Sequence, residues 1–428
     1  MSMLSEFFKR INAKKILFVA VPAVLVLALA LVFLIRGCQK SKNVPVPITG
    51  TSAEMQTPEP ATPTEPTIGY IETSEEATET QASESQTETD AETTQKPTYT
   101  YPVYETPTYY SYLTGLKCSR KEQRKRPVSI IINNIRDAMP NVGISYADIV
   151  YECTVEGGVT RLMMVLSDYE DIPVIGSVRS SREYFIDLSR THDTIYVHAG
   201  GNPQDYDQFD LRPIDRMDGV NMHFPNTFYR DAERRKRMSL EHTLMTSGEG
   251  IVKGIEQKNY RTTHNSDYKG SFDFYEEFTD IAGSGVANYV CVPYSNGFKP
   301  EFIYSPDDKL YYRKQFGAAH IDGGTGEQIR FENVIVIFAE YSAYRANAIA
   351  IREGHLACKL TGAGYGFYIN GGQYKIIKWQ KETRESSLYL YETDNTKLYL
   401  NPGKSFICVT STAYNKSVVI NSDIKEVK

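Results

Sequence analysis

The sequence predicts an α+β protein in which a mixed α/β domain precedes a mostly antiparallel β-rich domain, both behind an N-terminal transmembrane helix and a disordered linker. Three observations carry this reading. An uncharged apolar run occupies residues 16–35, and a Thr-, Glu-, Pro- and Ser-rich stretch follows it. Beyond residue 117 an alternation of strand and helix patterns gives way to strands punctuated by glycine. At 428 residues, 41% of them apolar and 23% charged, the chain is long enough for two or three cores. Its composition fits neither wholesale disorder nor a polytopic membrane protein.

Taken in order, residues 1–15 form a basic cytoplasmic segment ahead of ILFVAVPAVLVLALALVFLI at 16–35. Those twenty residues, as a helix, cross the roughly 30 Å hydrocarbon core. Lys9, Arg10, Lys14 and Lys15 precede the run, and Arg36, Lys40 and Lys42 follow it. The large domain behind a single N-terminal apolar segment is the exported part, so the folded chain is expected on the extracytoplasmic side of the cell membrane. Cys38, in Ile35-Arg36-Gly37-Cys38, offers the rival reading of a lipid-bearing cysteine. Arg36 stands where a lipoprotein signal carries a small residue, and the apolar run exceeds a signal core, which favours the uncleaved anchor.

Residues 36–112 read as a disordered spacer. Positions 51–100 hold fourteen Thr, eleven acidic residues and one Lys, so this stretch can bury no core and repels itself into an extended chain. Tyr99, Tyr101, Tyr104, Tyr109, Tyr110 and Tyr112 mark its end, where the stalk is expected to dock onto its own domain. The N-terminal domain is assigned to 117–260. Within it, 127–132, 149–154, 160–166 and 194–198 read as strands, 182–190 as a helix, and 227–257 as a charged helical region. The C-terminal domain, 270–415, reads as strands at 289–293, 302–304, 310–313, 334–341, 367–369, 374–379 and 405–410, with Gly362-Ala363-Gly364-Tyr365-Gly366 as a turn.

Charge and cysteine usage exclude several classes. Residues 117–428 hold 39 basic and 40 acidic residues, so the folded part offers no electrostatic footprint for nucleic acid. Cys118, Cys153, Cys291, Cys358 and Cys408 form no Cys-x-x-Cys pair, and their odd number leaves one unpaired unless two chains are bridged. No phosphate loop, dinucleotide fingerprint or Gly-x-Ser-x-Gly elbow occurs. His198, His223 and His242 with Asp193 or Asp207 lack metal-ligand spacing. Neither a metal nor a cofactor is expected.

Several long runs carry a resemblance. RPVSIIINNIRDAMPNVGISYADIVYECTVEGGVTRLMMV and IGSVRSSREYFIDLSRTHDTIYVHAGGNPQ, then VPYS at 292–295, DGGTGEQIRFENVIVIF, WQKETRE at 379–385 and LNPGKSFICV, together resemble the YerB-like putative lipoprotein family of bacteria. The likeness covers about 127–410. It implies an envelope-tethered, two-domain α+β protein and no particular activity, since the family is of uncharacterised function. Leu240-Glu241-His242-Thr243-Leu244 stands where a Pro-His-Asn-like run is typical.

The residues themselves point most strongly to Ser177-Val178-Arg179-Ser180-Ser181-Arg182, where a strand gives way to a helix. Two arginines three apart, with hydroxyls between them and Arg161 on a neighbouring strand, suit a phosphate or carboxylate. The competing reading pairs these arginines internally with Asp148, Glu152 and Glu156, with Arg179 as the buried member and Arg182 exposed at the helix start. His198-Ala199-Gly200-Gly201 adds a glycine turn open to close approach by a ligand. Trp379 with Lys381 is a candidate polymer contact, weighed against a place in the core. The expected function is therefore a non-enzymatic binding or scaffolding protein for cell-wall material or a wall-synthesis partner. The alternative is an enzyme in which Arg161, Arg179 and Arg182 hold an anionic envelope substrate and Asp148 or Glu152 is the base.

Overall fold

A computed structural model describes residues 108–422. The apolar run 16–35, Cys38 and nearly all of the spacer lie outside the described residues, within which no helix is long and apolar enough to cross a membrane. The fold is mixed α/β and rich in sheet. Its organising element is a twelve-stranded sheet. From one edge the strands run Gly285–Val286, Gln373–Lys381, Gly362–Asn370, Asn333–Ala343, Ser405–Ser411, Ile149–Thr154, Thr160–Leu166, Val128–Asn133, Ile195–His198 and Arg216–Asp218, and Leu356–Lys359 and Tyr389–Tyr391 attach to its flanks.

The first five strands in that order come from the C-terminal half of the sequence and the last five from the N-terminal half. They meet where Ser405–Ser411 pairs in parallel with Ile149–Thr154, Ser405 opposite Ile149 and Val409 opposite Cys153. Ile149–Thr154 and its neighbour Thr160–Leu166 are buried along their whole length, as expected of strands covered on two faces. The period of two then separates the cores. Ile130, Ile132, Val150, Leu162 and Met164 pack with Phe302, Phe331 and Phe406 under a six-stranded sheet. Ile131, Tyr151, Cys153 and Met163 point to the opposite face, against Tyr184, Phe185 and Leu188 of the helix Glu183–Thr191.

Three expectations need correction. The region 227–257 is not one helical stretch: it contains strand Phe228–Arg230, a four-residue helix Ala232–Arg235, strand Leu244–Thr246 and helix Gly248–Lys258. Arg234 explains the interruption, because its buried guanidinium donates to the carbonyls of Ala138 and Pro140 and so ties the segment to the rest of the domain. Residues 362–366 form no turn but open the strand Gly362–Asn370. Glycine is needed there for close approach: a Cβ on Gly364 would sit 2.6 Å from the Trp379 indole nitrogen, and one on Gly366 would clash with the Val336 carbonyl oxygen. The spacer ends before residue 112, since Tyr109–Tyr110 pairs with Lys117–Cys118 and Tyr112 lies edge-on to His264 and Tyr268. The five described cysteines are all free thiols, four of them buried.

Candidate functional site

Val128–Asn133 and Ile195–His198 run parallel, paired from Val128 opposite Ile195 to Ile130 opposite Val197. Beyond that point they part, and the segment 177–181 fills the gap. Asn133 N–H donates to Ser177 O and Arg179 N–H to Ile131 O, while Ala199 N–H donates to Arg179 O and Ser181 N–H to Gly200 O. A crevice where strands diverge at their carboxyl ends is the usual ligand position in an open α/β sheet. Here a cleft of about 370 Å³ lies beside the filled gap. Arg161, Arg179, Arg182 and Glu156 line it together with Asn133, Thr160 and Asn202, and Glu353 and His355 close it from the C-terminal half.

The three arginines are held differently. Arg182, 6% exposed, forks onto Glu156, with Nε 2.8 Å from Oε1 and Nη2 2.5 Å from Oε2. Arg179 is the more exposed of the two and reaches Glu241 Oε2 at 2.5 Å. The expected roles are thus reversed: Arg182 is the buried member, because the helix it precedes is packed under the C-terminal half, and Arg179 looks outward. Arg161 is 8% exposed and donates from Nη1 to the Ser180 carbonyl at 2.8 Å, with no carboxylate of the described residues within ion-pair distance. Burial, with Arg182 and Arg179 nearby, brings its guanidinium down to about 9. Burial alone would raise Glu156, but the hydrogen bonds and charge of Arg182 prevail and bring it down to about 2.

Other predicted site residues lie elsewhere. Glu152 is fully buried and accepts from Asn134 Nδ2 (2.9 Å), Thr160 Oγ1 (2.7 Å) and Arg313 Nη2 (2.8 Å). Asp148 accepts from the backbone and hydroxyl of Ser167, each at 2.7 Å, before the opposite end of the strand Ile149–Thr154. At about 3.3 Å per residue that separates it from Glu156 by roughly 25 Å. Neither carboxylate reaches the cleft, so neither serves as its base. Arg182, at the N-cap position, receives no side-chain cap, so the serines of 177–181 position backbone rather than capping the helix.

His198 is buried against Phe209, ring centroids 5.2 Å apart, with Nδ1 2.8 Å from Gly200 O. Burial lowers its pKa, which favours the neutral ring. The turn at Gly200, with φ +76°, lets its N–H donate to Asp218 Oδ1 at 2.8 Å. A Cβ on Gly201 would crowd Asp205, so this glycine serves internal packing. Trp379 and Lys381 are also interior: the indole donates to Phe338 O at 3.1 Å and the Lys381 ammonium to Ser386 O. They present no face to a polymer. Among the described residues no cluster of three or more His, Cys, Asp or Glu could hold a metal ion.

Sequence reasoning missed Asn133, Thr160, Asn202, Glu353 and His355. Asn202 carried a readable signal, since Asn202-Pro203 followed by Asp205 is a helix start with a capping box. His355 did not. It enters the cleft because the helix Ala348–Glu353 ends at Gly354, φ +66°, which turns the chain inward. There His355 Nε2 lies 3.1 Å from Glu353 Oε2 and Nδ1 lies 3.2 Å from the Gln204 amide.

Comparison with known proteins places this architecture. Residues 113–261 match the N-terminal domain, and 290–407 the C-terminal domain, of a family described as protein of unknown function (DUF3048). The chain belongs to this YerB-like family. It is 29% identical over 304 residues to "Putative lipoprotein YerB" of Bacillus subtilis (strain 168), covering 69% of this chain and 84% of that one. The crystal structure of YerB protein from Bacillus subtilis superposes with a TM-score of 0.63 at 26% identity, over 73% of this chain and 100% of the other.

Proposed function

We propose that this YerB-like chain is an extracytoplasmic binding protein of the bacterial envelope, tethered through residues 16–35, whose cleft holds a phosphate or carboxylate of an anionic cell-wall polymer. One observation carries the reading: Arg161 is nine-tenths buried beside two further arginines, and it has no carboxylate partner among the described residues. A guanidinium desolvated in this way gains most from an incoming bidentate anion. Binding is favoured over turnover because the polar groups in the cleft are already engaged. The Thr160 hydroxyl donates to Glu152, both ring nitrogens of His355 have partners, and Glu156 is committed to Arg182.

The test is titration of the full chain in detergent with inorganic polyphosphate and with poly-glutamate. Binding to at least one is expected, and Arg161→Gln should weaken it at least about tenfold with an unchanged melting temperature. Failure to bind either probe, or equal binding by the variant, would overturn the proposal.

A further inference from the structure

A second concavity lies at the other end of the helix Glu183–Thr191, away from Arg182. It measures about 690 Å³ and joins a neighbouring hollow of about 260 Å³ through Lys269, Gly270 and Tyr389, which line both. The result is an elongated groove rather than a pit, of the volume that suits a ligand of several rings. One wall comes from Arg190, Asp193 and Asp215, the other from Glu385, Ser386 and Tyr389.

Its charge is balanced. Asp193 pairs with Arg261 at 2.6 Å and accepts from Asn265 N–H at 3.0 Å, and Asp215 meets Arg126 at 2.5 Å. In the larger hollow Arg126, Arg190, Arg261 and Lys269 are matched in number by Asp193, Asp215, Asp267 and Glu385. An anion or cation would find no excess of opposite charge, unlike in the arginine cleft. Planar polar pairs of this kind remain well suited to hydroxyl groups, which donate and accept at once. The Arg190 guanidinium is itself spent on the wall, donating from Nη2 to the carbonyls of Arg212 and Pro213, while its buried Nε has no hydrogen-bond partner among the described residues.

Tyr389 supplies the complementary feature. It is 43% exposed and stands at the junction of the two hollows, and the smaller hollow is floored by Phe272, Leu390, Leu398 and Leu400. An amphipathic aromatic at such a ridge offers a face to the C–H side of a pyranose while its hydroxyl stays wet. The buried Lys381 has a part here too, since its ammonium fixes the carbonyl of Ser386 in the groove wall. We propose that this groove binds a neutral linear glycan, with Tyr389 as the stacking platform. The proposal does not depend on the anion cleft.

The experiment is calorimetric titration of the full chain in detergent with chitotetraose and with cellotetraose. At least one should bind, and Tyr389→Ala should weaken that binding by about tenfold, while Tyr389→Trp retains it. Binding of polyphosphate by Tyr389→Ala should match the unaltered chain. No binding of either oligosaccharide, an undiminished Tyr389→Ala, or displacement of the oligosaccharide by polyphosphate would each overturn the proposal.

Discussion

Glu152 and Glu156 stand four residues apart, each paired with an arginine, and the two pairs have opposite environments. Glu152–Arg313 joins the two halves of the sequence in the interior, with both side chains fully buried. The remaining oxygen of Glu152 is taken by Asn134 and Thr160, and Arg313 also meets Gln315 and His320. Glu156–Arg182 opens onto the cleft, where Arg179 pairs outward with Glu241 and Arg161 adds a cation that meets no carboxylate among the described residues. A sealed pair must balance its charge internally, because nothing can enter to do so, and here the charges match although the buried Arg313 Nε has no hydrogen-bond partner among the described residues. A pair at a cleft can carry an excess, and that excess is what an outside ligand would use.

The largest effect expected from breaking this comparison is at the sealed pair. Arg313→Met leaves Glu152 buried and unpaired and should cost about 3–5 kcal/mol in chemical unfolding followed by the fluorescence of Trp379, with Glu152→Gln restoring part of the loss in the double variant. A cost below about 1 kcal/mol would mean that the interior accommodates the carboxylate without its partner.

Next comes Arg182→Ala, which strands a carboxylate whose side chain is 16% exposed and should cost about 1–3 kcal/mol. The pH dependence has a defined sign. Glu156 falls from 4.5 unfolded to about 2 folded, so its contribution is complete above 4.5 and is lost as pH falls toward 2. Unfolding measured across that window should show a shallower acid-side loss in Arg182→Ala than in the unaltered chain. An unchanged slope would separate the low value of Glu156 from Arg182.

The smallest effect belongs to Arg179→Ala. Its partner Glu241 is half exposed, and such pairs contribute about 0–1 kcal/mol, so melting should barely move while polyphosphate binding weakens. A large stability loss would place Arg179 with the sealed pair rather than with the cleft.

By itself the sequence determined the strands 149–154 and 160–166 and a helix beginning beside Arg182, because β-rich runs and helical spacing are local properties of the chain. It also brought forward Arg161, Arg179, Arg182 and Glu156, which the cleft does gather. Tertiary structure alone decided which carboxylate each arginine meets. The period of two tells which face a residue takes but not which strand lies alongside, so nothing near Glu152 announces Arg313, 161 positions later. The same holds for His355 at a cleft built by residues 133–202, for Gly364 and Gly366 as points of close strand approach, and for Trp379 as core. The first depends on Ser405–Ser411 lying beside Ile149–Thr154, and the others on Gly362–Asn370 lying between Gln373–Lys381 and Asn333–Ala343, registers set by the packing of both faces at once.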